Sequence, residues 1–498
     1  MKISTHYVTR AFIALAILIF NLSFFTPSHA QTPLFYGLTS NGGSNGQGTV
    51  FTFNITTGNE SVLSSFGVKN HDGLQPHGSL VYDATTQLFY GMTTSGGDGY
   101  GTLFSFNTTT DKDSVLGGTF GYAFPGEAPN GSLVFDSTNN LYYGMTEQGG
   151  NDETGTIFSF DPNTNKDTVL YNLAGAPTDG SGPSGDLTYD TNTKLFYGLT
   201  EYGGTYGYGT IISFDPSNNT ENVLWSFGNG KDGKNPYASF VYDATTKLLY
   251  GMTEEGGTSN YGTIITFDPS SNTESVVWSF GSGYDGKYPY GSFVYAANTG
   301  LYYAMTDEGG LDNLGAIISF DPSDNSENRE WDFGSASVTD GAYPWGDLMY
   351  YAPTGMLYGL TSQGGANGNE GAIISYDPIA QTDSVLYSYG HGVDDGEGPY
   401  GALVLKTNLT GISTITKQNI QVAIYPNPNN GNFSIHIPQV KQASELEIFN
   451  VLGEKILVTE LNSTSTSINL GEQAAGMYLY RVLDEQRGLV GEGKFMVQ

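Results

Sequence analysis

The sequence predicts an all-β chain: a seven-bladed β-propeller followed by a small C-terminal β-sandwich. Three observations carry that prediction. A line of the form leucine–aromatic–tyrosine–glycine recurs seven times, at Leu34-Phe35-Tyr36-Gly37, Leu88-Phe89-Tyr90-Gly91, Leu141-Tyr142-Tyr143-Gly144, Leu195-Phe196-Tyr197-Gly198, Leu248-Leu249-Tyr250-Gly251, Leu301-Tyr302-Tyr303-Ala304 and Met356-Leu357-Tyr358-Gly359. Its last position returns every 53 to 55 residues, and a fixed period of that order marks an array of identical supersecondary units. Each unit holds four short strand-like runs, and none carries a sustained 3.6-residue apolar period, so almost no helix is expected in the array.

Taken in order, the chain begins with an address. Lys2 and Arg10 are basic, Ala11 to Phe20 is apolar, and Ser28-His29-Ala30 has the small-x-small form of a cleavage site. Residues 1–30 therefore read as a secretory signal peptide, too short and wrongly flanked for a membrane span, with the mature chain starting at Gln31. No other segment is long and apolar enough to be a transmembrane segment.

Residues 31–406 hold the seven repeats, and the fifth serves as template. Leu248 to Thr253 is a strand, Glu254 to Tyr261 a loop around Gly256-Gly257, and Gly262 to Phe267 a second strand. Thr263, Ile265 and Phe267 share one face of that strand, Ile264 and Thr266 the other. Asp268-Pro269 ends it, because proline cannot continue a central ladder. Ser275 to Phe280 is the third strand, Gly281 to Tyr290 a loop around Asp285-Gly286, and Gly291 to Ala296 the fourth and innermost. The glycine inside the first strand implies a close approach of backbone between blades. The Gly-Gly pairs imply turns at positive φ. The phase of the repeat predicts that Gly401 to Lys406 returns to complete the first blade, removing an open edge.

Residues 407–418 are polar and read as a linker. Residues 419–498 alternate apolar and polar positions between Gly and Asn turns, the pattern of a small antiparallel sandwich. Two resemblances attach to these segments. Leu195-Phe196-Tyr197-Gly198, Thr200, Gly203-Gly204, Gly209-Thr210, Asp232-Gly233 and Pro236 resemble the tandem-repeat family named from Gloeobacter and Verrucomicrobia, and the double glycine is loosely similar to that of kelch propellers. That resemblance implies an architecture and no activity. Tyr425-Pro426-Asn427-Pro428, Phe449-Asn450-x-x-Gly453 and Gly476-Met477-Tyr478 closely resemble the C-terminal sorting domain of the type IX secretion system of Bacteroidota. It implies handling by the type IX machinery, export across the outer membrane, removal of the domain, and release or attachment at the cell surface.

Composition narrows the function classes. There is no cysteine, so disulfides, thiol chemistry and cysteine-ligated metals are excluded. With 50 acidic against 18 basic residues and a net charge of −32, the surface repels nucleic acid and anionic headgroups and favours solubility and cations.

Propeller order places the Gly-Gly loops and the Asp-Gly-x-x-Pro loops on one face, and long loops on a rigid scaffold are where binding residues concentrate. Two columns on that face vary between blades. His77, Asn130, Ser184, Tyr237, Tyr290, Trp345 and Tyr400 follow the proline and lead into the innermost strand, so they should converge at the mouth of the channel. Ser40, Thr94, Glu147, Glu201, Glu254, Asp307 and Ser362 follow the threonine of the first strand. Aromatic rings beside carboxylates suit stacking on sugar faces with acids accepting hydroxyl hydrogen bonds. Tyr237, Tyr290, Trp345 and Tyr400 are the candidate platform, with Glu201, Glu254 and Asp307 as candidate acceptors. The competing reading is that the rings plug the channel and the acids are solvated.

Asp72, Asp179, Asp232, Asp285, Asp340 and Asp395 precede glycines and read as turns, with calcium ligation the alternative; no D-x-D-x-D-G loop accompanies them. Catalytic signatures are thin. His71, His77, His391 and His436 show no metal-ligand spacing, and G-x-S-x-G and HExxH are missing. Glu254-Glu255 and Asp307-Glu308 are adjacent, so they point apart in an extended segment and form no acid/base pair on their own. Asp113-Ser114-Val115, Asp167-Thr168-Val169 and Asp383-Ser384-Val385 resemble the O-glycosylation acceptors of Bacteroidota, and equally read as turns or strand starts. The sequence thus points to an exported binding module for an extracellular glycan or surface protein, without cofactor or metal. The alternatives are a polysaccharide lyase or hydrolase with carboxylates at the channel mouth, or a structural or protein-interaction surface protein.

Overall fold

In a computed structural model the chain forms two compact units, residues 1–407 and 408–498. The structure describes residues 33–69, 71–116, 120–121, 126–190, 192–281, 284–334, 339–392 and 394–406 of the first. In the second it describes 423–425, 429, 431–436, 444–450, 455–461, 463, 465–471, 476–483 and 489–497. The expected signal peptide (1–30), the expected linker (407–418) and Pro426-Asn427-Pro428 lie outside the described residues. Among the described residues every regular element is a strand, and no helix is long and apolar enough to cross a membrane.

The first unit contains seven four-stranded antiparallel sheets. In the fifth, from the axis outwards, the strands are Val241–Asp243, Leu248–Thr253, Thr263–Asp268 and Thr273–Ser279. The bulky residues of each strand divide between two interfaces, as a period of two requires. Ile265 and Phe267 pack against Tyr197 and Leu199 of the preceding sheet. Ile264 packs against Tyr302 and Ile318 of the following one. Seven such clusters, one between each neighbouring pair of sheets, close on themselves. In the closing cluster Phe35, Phe51 and Phe53 meet Tyr358, Leu360 and Tyr389. The chain's return completes the circle: Leu405 pairs with Phe35 and Val404 with Tyr36, so the first sheet is built from both ends of the unit.

Two expectations need adjustment. The innermost strands are shorter than expected: only Val294–Ala296 joins its sheet, and Gly291 to Phe293 do not. Those residues bond sideways instead, with Ser292 N–H donating to Asp347 of the next blade. The strand glycines are also filled differently. A methyl at Gly251 would meet the Phe240 ring at 2.9 Å. The space is taken by an aromatic of its own blade, not by neighbouring backbone.

The threonine after that glycine has a specific task. Thr253 Oγ1 lies 2.7 Å from Thr263 Oγ1, donates to the Glu255 carbonyl at 2.8 Å, and is fully buried. These bonds fold the Gly-Gly loop back so that Glu255–Gly256 pairs with Gly233–Lys234 of the incoming Asp-Gly loop. Gly256 has φ +93° and its missing Cβ leaves room for the Asp232 carbonyl. Seven such two-stranded ribbons join the two loop families, which places both on one face.

The second unit is two sheets over one core. Ala423–Tyr425, Asn432–His436 and Ser465–Asn469 form the first, and Lys455–Leu461, Ser444–Asn450, Gly476–Leu483 and Leu489–Val497 the second. Phe433, Ile435 and Ile468 of one face Leu446, Ile448, Val482 and Phe495 of the other. The buried Glu447 is held by Lys455 at 2.7 Å and by Arg481. Burial would raise its carboxyl, but the two cations keep it below the usual range.

Candidate functional site at the channel mouth

All seven residues of the column after the proline line one cavity on the axis of the ring, of about 70 Å³. The aromatic members gather on one side and touch. Tyr290 and Trp345 stack at 4.6 Å with 10° between ring planes. Tyr237 meets Tyr290 edge-on at 5.1 Å, and Tyr400 meets Trp345 edge-on at 5.2 Å. His77 closes the arc against Tyr400 at 4.9 Å. Burial holds its imidazole below the usual value, hence neutral at pH 7. The rings therefore cover part of one another's faces. What they offer a ligand is the rim of a cluster, not four separate plates. Across the cavity the column turns small and polar, with Asn130 and Ser184.

The second column follows the first around the ring. Tyr290 donates its hydroxyl to Glu254 Oε1 at 2.7 Å, and Asn130 donates to Glu147 Oε2. Where the column is a hydroxyl it is tied down: Ser40 donates to the Pro76 carbonyl, Thr94 to that of Gln75 and Ser362 to that of Tyr343. Burial raises the carboxyls of Glu201 and Glu254 above the ordinary range. Glu254 and Glu147 add to the rise at Glu201. Burial pushes Asp307 to about 7, opposed by Trp345 and assisted by Glu308 and Glu254. The structure thus sets Tyr237, Tyr290, Trp345 and Tyr400 around one mouth, with the acids behind them: Glu254 against Tyr290, Asp307 against Trp345 and Glu201 against Tyr202.

Two positions after the aromatic column, the channel wall carries residues that sequence reasoning missed. Ser79 N–H donates to Ser132 Oγ at 2.9 Å, Ser132 N–H to Asp186 Oδ1, and Asp186 N–H to Ser239 Oγ at 2.6 Å. Ser239 N–H donates to Ser292 Oγ at 3.0 Å, Ser292 N–H to Asp347 Oδ1, and Ala402 N–H to Ser79 Oγ at 2.8 Å. Each link crosses from one blade to the next. Burial lifts Asp186 to about 6, with Ser132 opposing and Asp347 assisting. The missed signal was the column Ser79, Ser132, Asp186, Ser239, Ser292, Asp347, Ala402, which is small or acidic throughout. Tyr202, Tyr206 and Tyr208, exposed on one Gly-Gly loop, were missed as well.

The Asp-Gly aspartates fold their own loops. Asp232 Oδ1 accepts Gly233 N–H at 2.8 Å and Oδ2 accepts the Trp225 indole N–H at 3.1 Å. Asp285 and Asp395 accept backbone N–H groups in the same way. Among the described residues no group of three or more His, Asp or Glu is arranged to hold a metal ion.

Fold and mouth together define a β-propeller with an aromatic and acidic channel entrance on its loop-rich face. The chain belongs to the Gloeobacter/Verrucomicrobia repeat family, whose model matches residues 26–204 and 195–424. Residues 423–498 match the secretion system C-terminal sorting domain, so the protein is exported by that route to the cell surface or beyond. No curated protein matches the sequence. Among solved structures, a provisionally assigned 6-phosphogluconolactonase from Bacteroides fragilis is similar at 14% identity and TM-score 0.51, over 76% of this chain and 99% of that one. A GH74 xyloglucanase from Xanthomonas campestris is similar at 12% identity and TM-score 0.47, over 74% and 52%. PorZ, a surface component of the type-IX secretion system of Porphyromonas gingivalis, is similar at 13% identity and TM-score 0.38, over 90% and 73%. At such identities the likeness concerns the fold alone.

Proposed function

We propose that this exported propeller is a binding module that takes an extracellular glycan at the channel mouth, with Tyr237, Tyr290, Trp345 and Tyr400 as the apolar contact and Glu201, Glu254 and Asp307 as hydroxyl acceptors. The observation that supports this most is the gathering of four aromatic rings on one cavity, with the Tyr290 hydroxyl bonded to Glu254 beside it. A purely structural plug has no need of a carboxylate rim. Aromatic rings beside acceptors are what sugar rings require. The test is a glycan-array screen of the purified chain, with calcium and with EDTA. The double variant Tyr290→Ala, Trp345→Ala should lose the hit while its circular dichroism stays unchanged. Undiminished affinity would sink the site assignment, and a blank array would move the reading to a surface protein partner.

One observation favours a second reading, acid/base chemistry on a polysaccharide. Asp307 is held near neutrality beside Glu254, and a carboxyl poised near the working pH suits a general acid. Turnover of an array hit that is abolished by Asp307→Asn would establish it; intact product profiles after prolonged incubation would remove it.

A further inference from the structure

The mouth has a gap. Where the following blade carries Tyr237, the blade before it carries Ser184, and the missing ring leaves a notch bordered by Asn130, Tyr237, Glu147 and Glu201. Ser184 is 4% exposed, and its Oγ has no hydrogen-bond partner. Ser184 lines the cavity beside Tyr237. Asp307 Oδ1, further round the mouth, is likewise buried without a partner. Glu147, Glu201, Glu254 and Asp307 stand on four successive blades, and among the described residues none forms an ion pair with Lys, Arg or His. Half-buried carboxylates without a countercharge, beside a buried oxygen with no partner, lack a donor-rich cation. No three of the acids are arranged to chelate a metal ion. An ammonium group fits better, because its three N–H donors can be shared among separated oxygens.

Building on the glycan reading, we propose that the notch at Ser184 takes a protonated amine carried on a sugar ring, so that the ligand class is an amino-sugar polymer with free amines. Glu147 and Glu201 accept from the ammonium, Ser184 Oγ accepts the third N–H, and the Tyr237 ring lies against the sugar.

The test is calorimetric titration of the full chain with oligomers of glucosamine, N-acetylglucosamine and glucose, at low and at physiological salt. The glucosamine oligomer should bind about ten-fold or more tightly than the other two, the scale of one charge-assisted hydrogen bond. Glu201→Gln and Ser184→Ala should each remove most of that preference while the melting curve is retained. Equal binding of the neutral oligomers would overturn the amine assignment and leave the glycan reading standing. No binding of any oligomer, together with a blank array, would overturn both. A glucosamine preference that survives both substitutions would show generic attraction to an acidic surface and would also overturn the notch.

Discussion

Ala402 occupies the one position in the channel-wall series without an oxygen, so the Asp347 N–H is the one donor there without a side-chain acceptor. Ala402→Ser supplies that acceptor and should stabilise the ring by about 0.5–1.5 kcal/mol, the net worth of one hydrogen bond. The reverse change at an existing link, Ser239→Ala, leaves the Asp186 N–H unpaired and should cost about 1–3 kcal/mol. Chemical denaturation of the two variants beside the parent checks both; equal midpoints would mean that the links are incidental. The columns themselves were legible in the sequence once the repeats were aligned. Which way the aromatic residues turn was not. Tyr290 and Trp345 stack because adjacent blades bring them within 4.6 Å, a distance set by the closed ring.

At the scale of elements, the loop aspartates meet a second acid on the outermost strand of the blade they enter. Asp232 faces Glu274, Asp179 faces Glu221, Asp285 faces Glu327, Asp340 faces Asp383 and Asp395 faces Glu60. Burial first, then the neighbouring carboxylate, pushes each strand acid up to about 8. Glu274, Glu327 and Asp383 hydrogen-bond their loop aspartates through the proton they keep, whereas Glu60 and Glu221 meet the Tyr387 and Tyr171 hydroxyls. Other groups facing these pairs are few: Tyr171 and Tyr387, with Arg329 and Glu330 near Glu327 and His391 3.7 Å from Asp395. The exception proves the logic. Beside Asp113, Lys69 Nζ lies at 2.7 Å; burial would raise that carboxyl, but Lys69 and Ser64 bring it below the usual range. A folded acid with a raised pKa holds a proton that the unfolded chain releases near 4.5. Its contribution is therefore complete below about pH 4.5 and is lost as pH rises through 8. Thermal melts between pH 5 and pH 9 should show the propeller weakening steadily with pH, and Glu274→Gln should flatten part of that slope. A melting temperature that rises with pH would contradict the pairs.

For the whole molecule, closure is the decisive feature. Val404 and Leu405 complete a sheet begun at Leu34, and Phe35, Phe51 and Phe53 meet the seventh blade. Ending the chain at Pro399 removes the innermost strand of the first blade and exposes a strand edge, which invites aggregation. Ending it at Thr407 removes only the sorting unit, which has its own core. Scanning calorimetry should find the longer truncate melting as the full-length propeller does, and the shorter one melting earlier and without reversibility. Identical melts would place the closing energy elsewhere. At this scale too, a net charge of −32 should accelerate capture of cationic ligands, and added salt should slow it.

The period, the strand count per repeat, the return of the last strand to the first blade and the sorting unit are legible in the linear pattern of residues. All of these follow from local patterns: alternation of period two, turn residues, and a motif repeated at even spacing. Val404 could be assigned to the first blade because a repeat out of phase has only one way to close. What lies between blades follows from the closed ring. The carboxyl pair of Asp232 and Glu274 joins residues 42 positions apart, and the links of the channel wall join residues about one repeat apart or, at the closure, 323 positions apart. Ser184 stands in the column after the proline, and the closed ring sets it on the same cavity as Tyr237. A side chain's charge state and partners depend on burial and on neighbours from other blades. Those are properties of the closed ring, and no single repeat carries them.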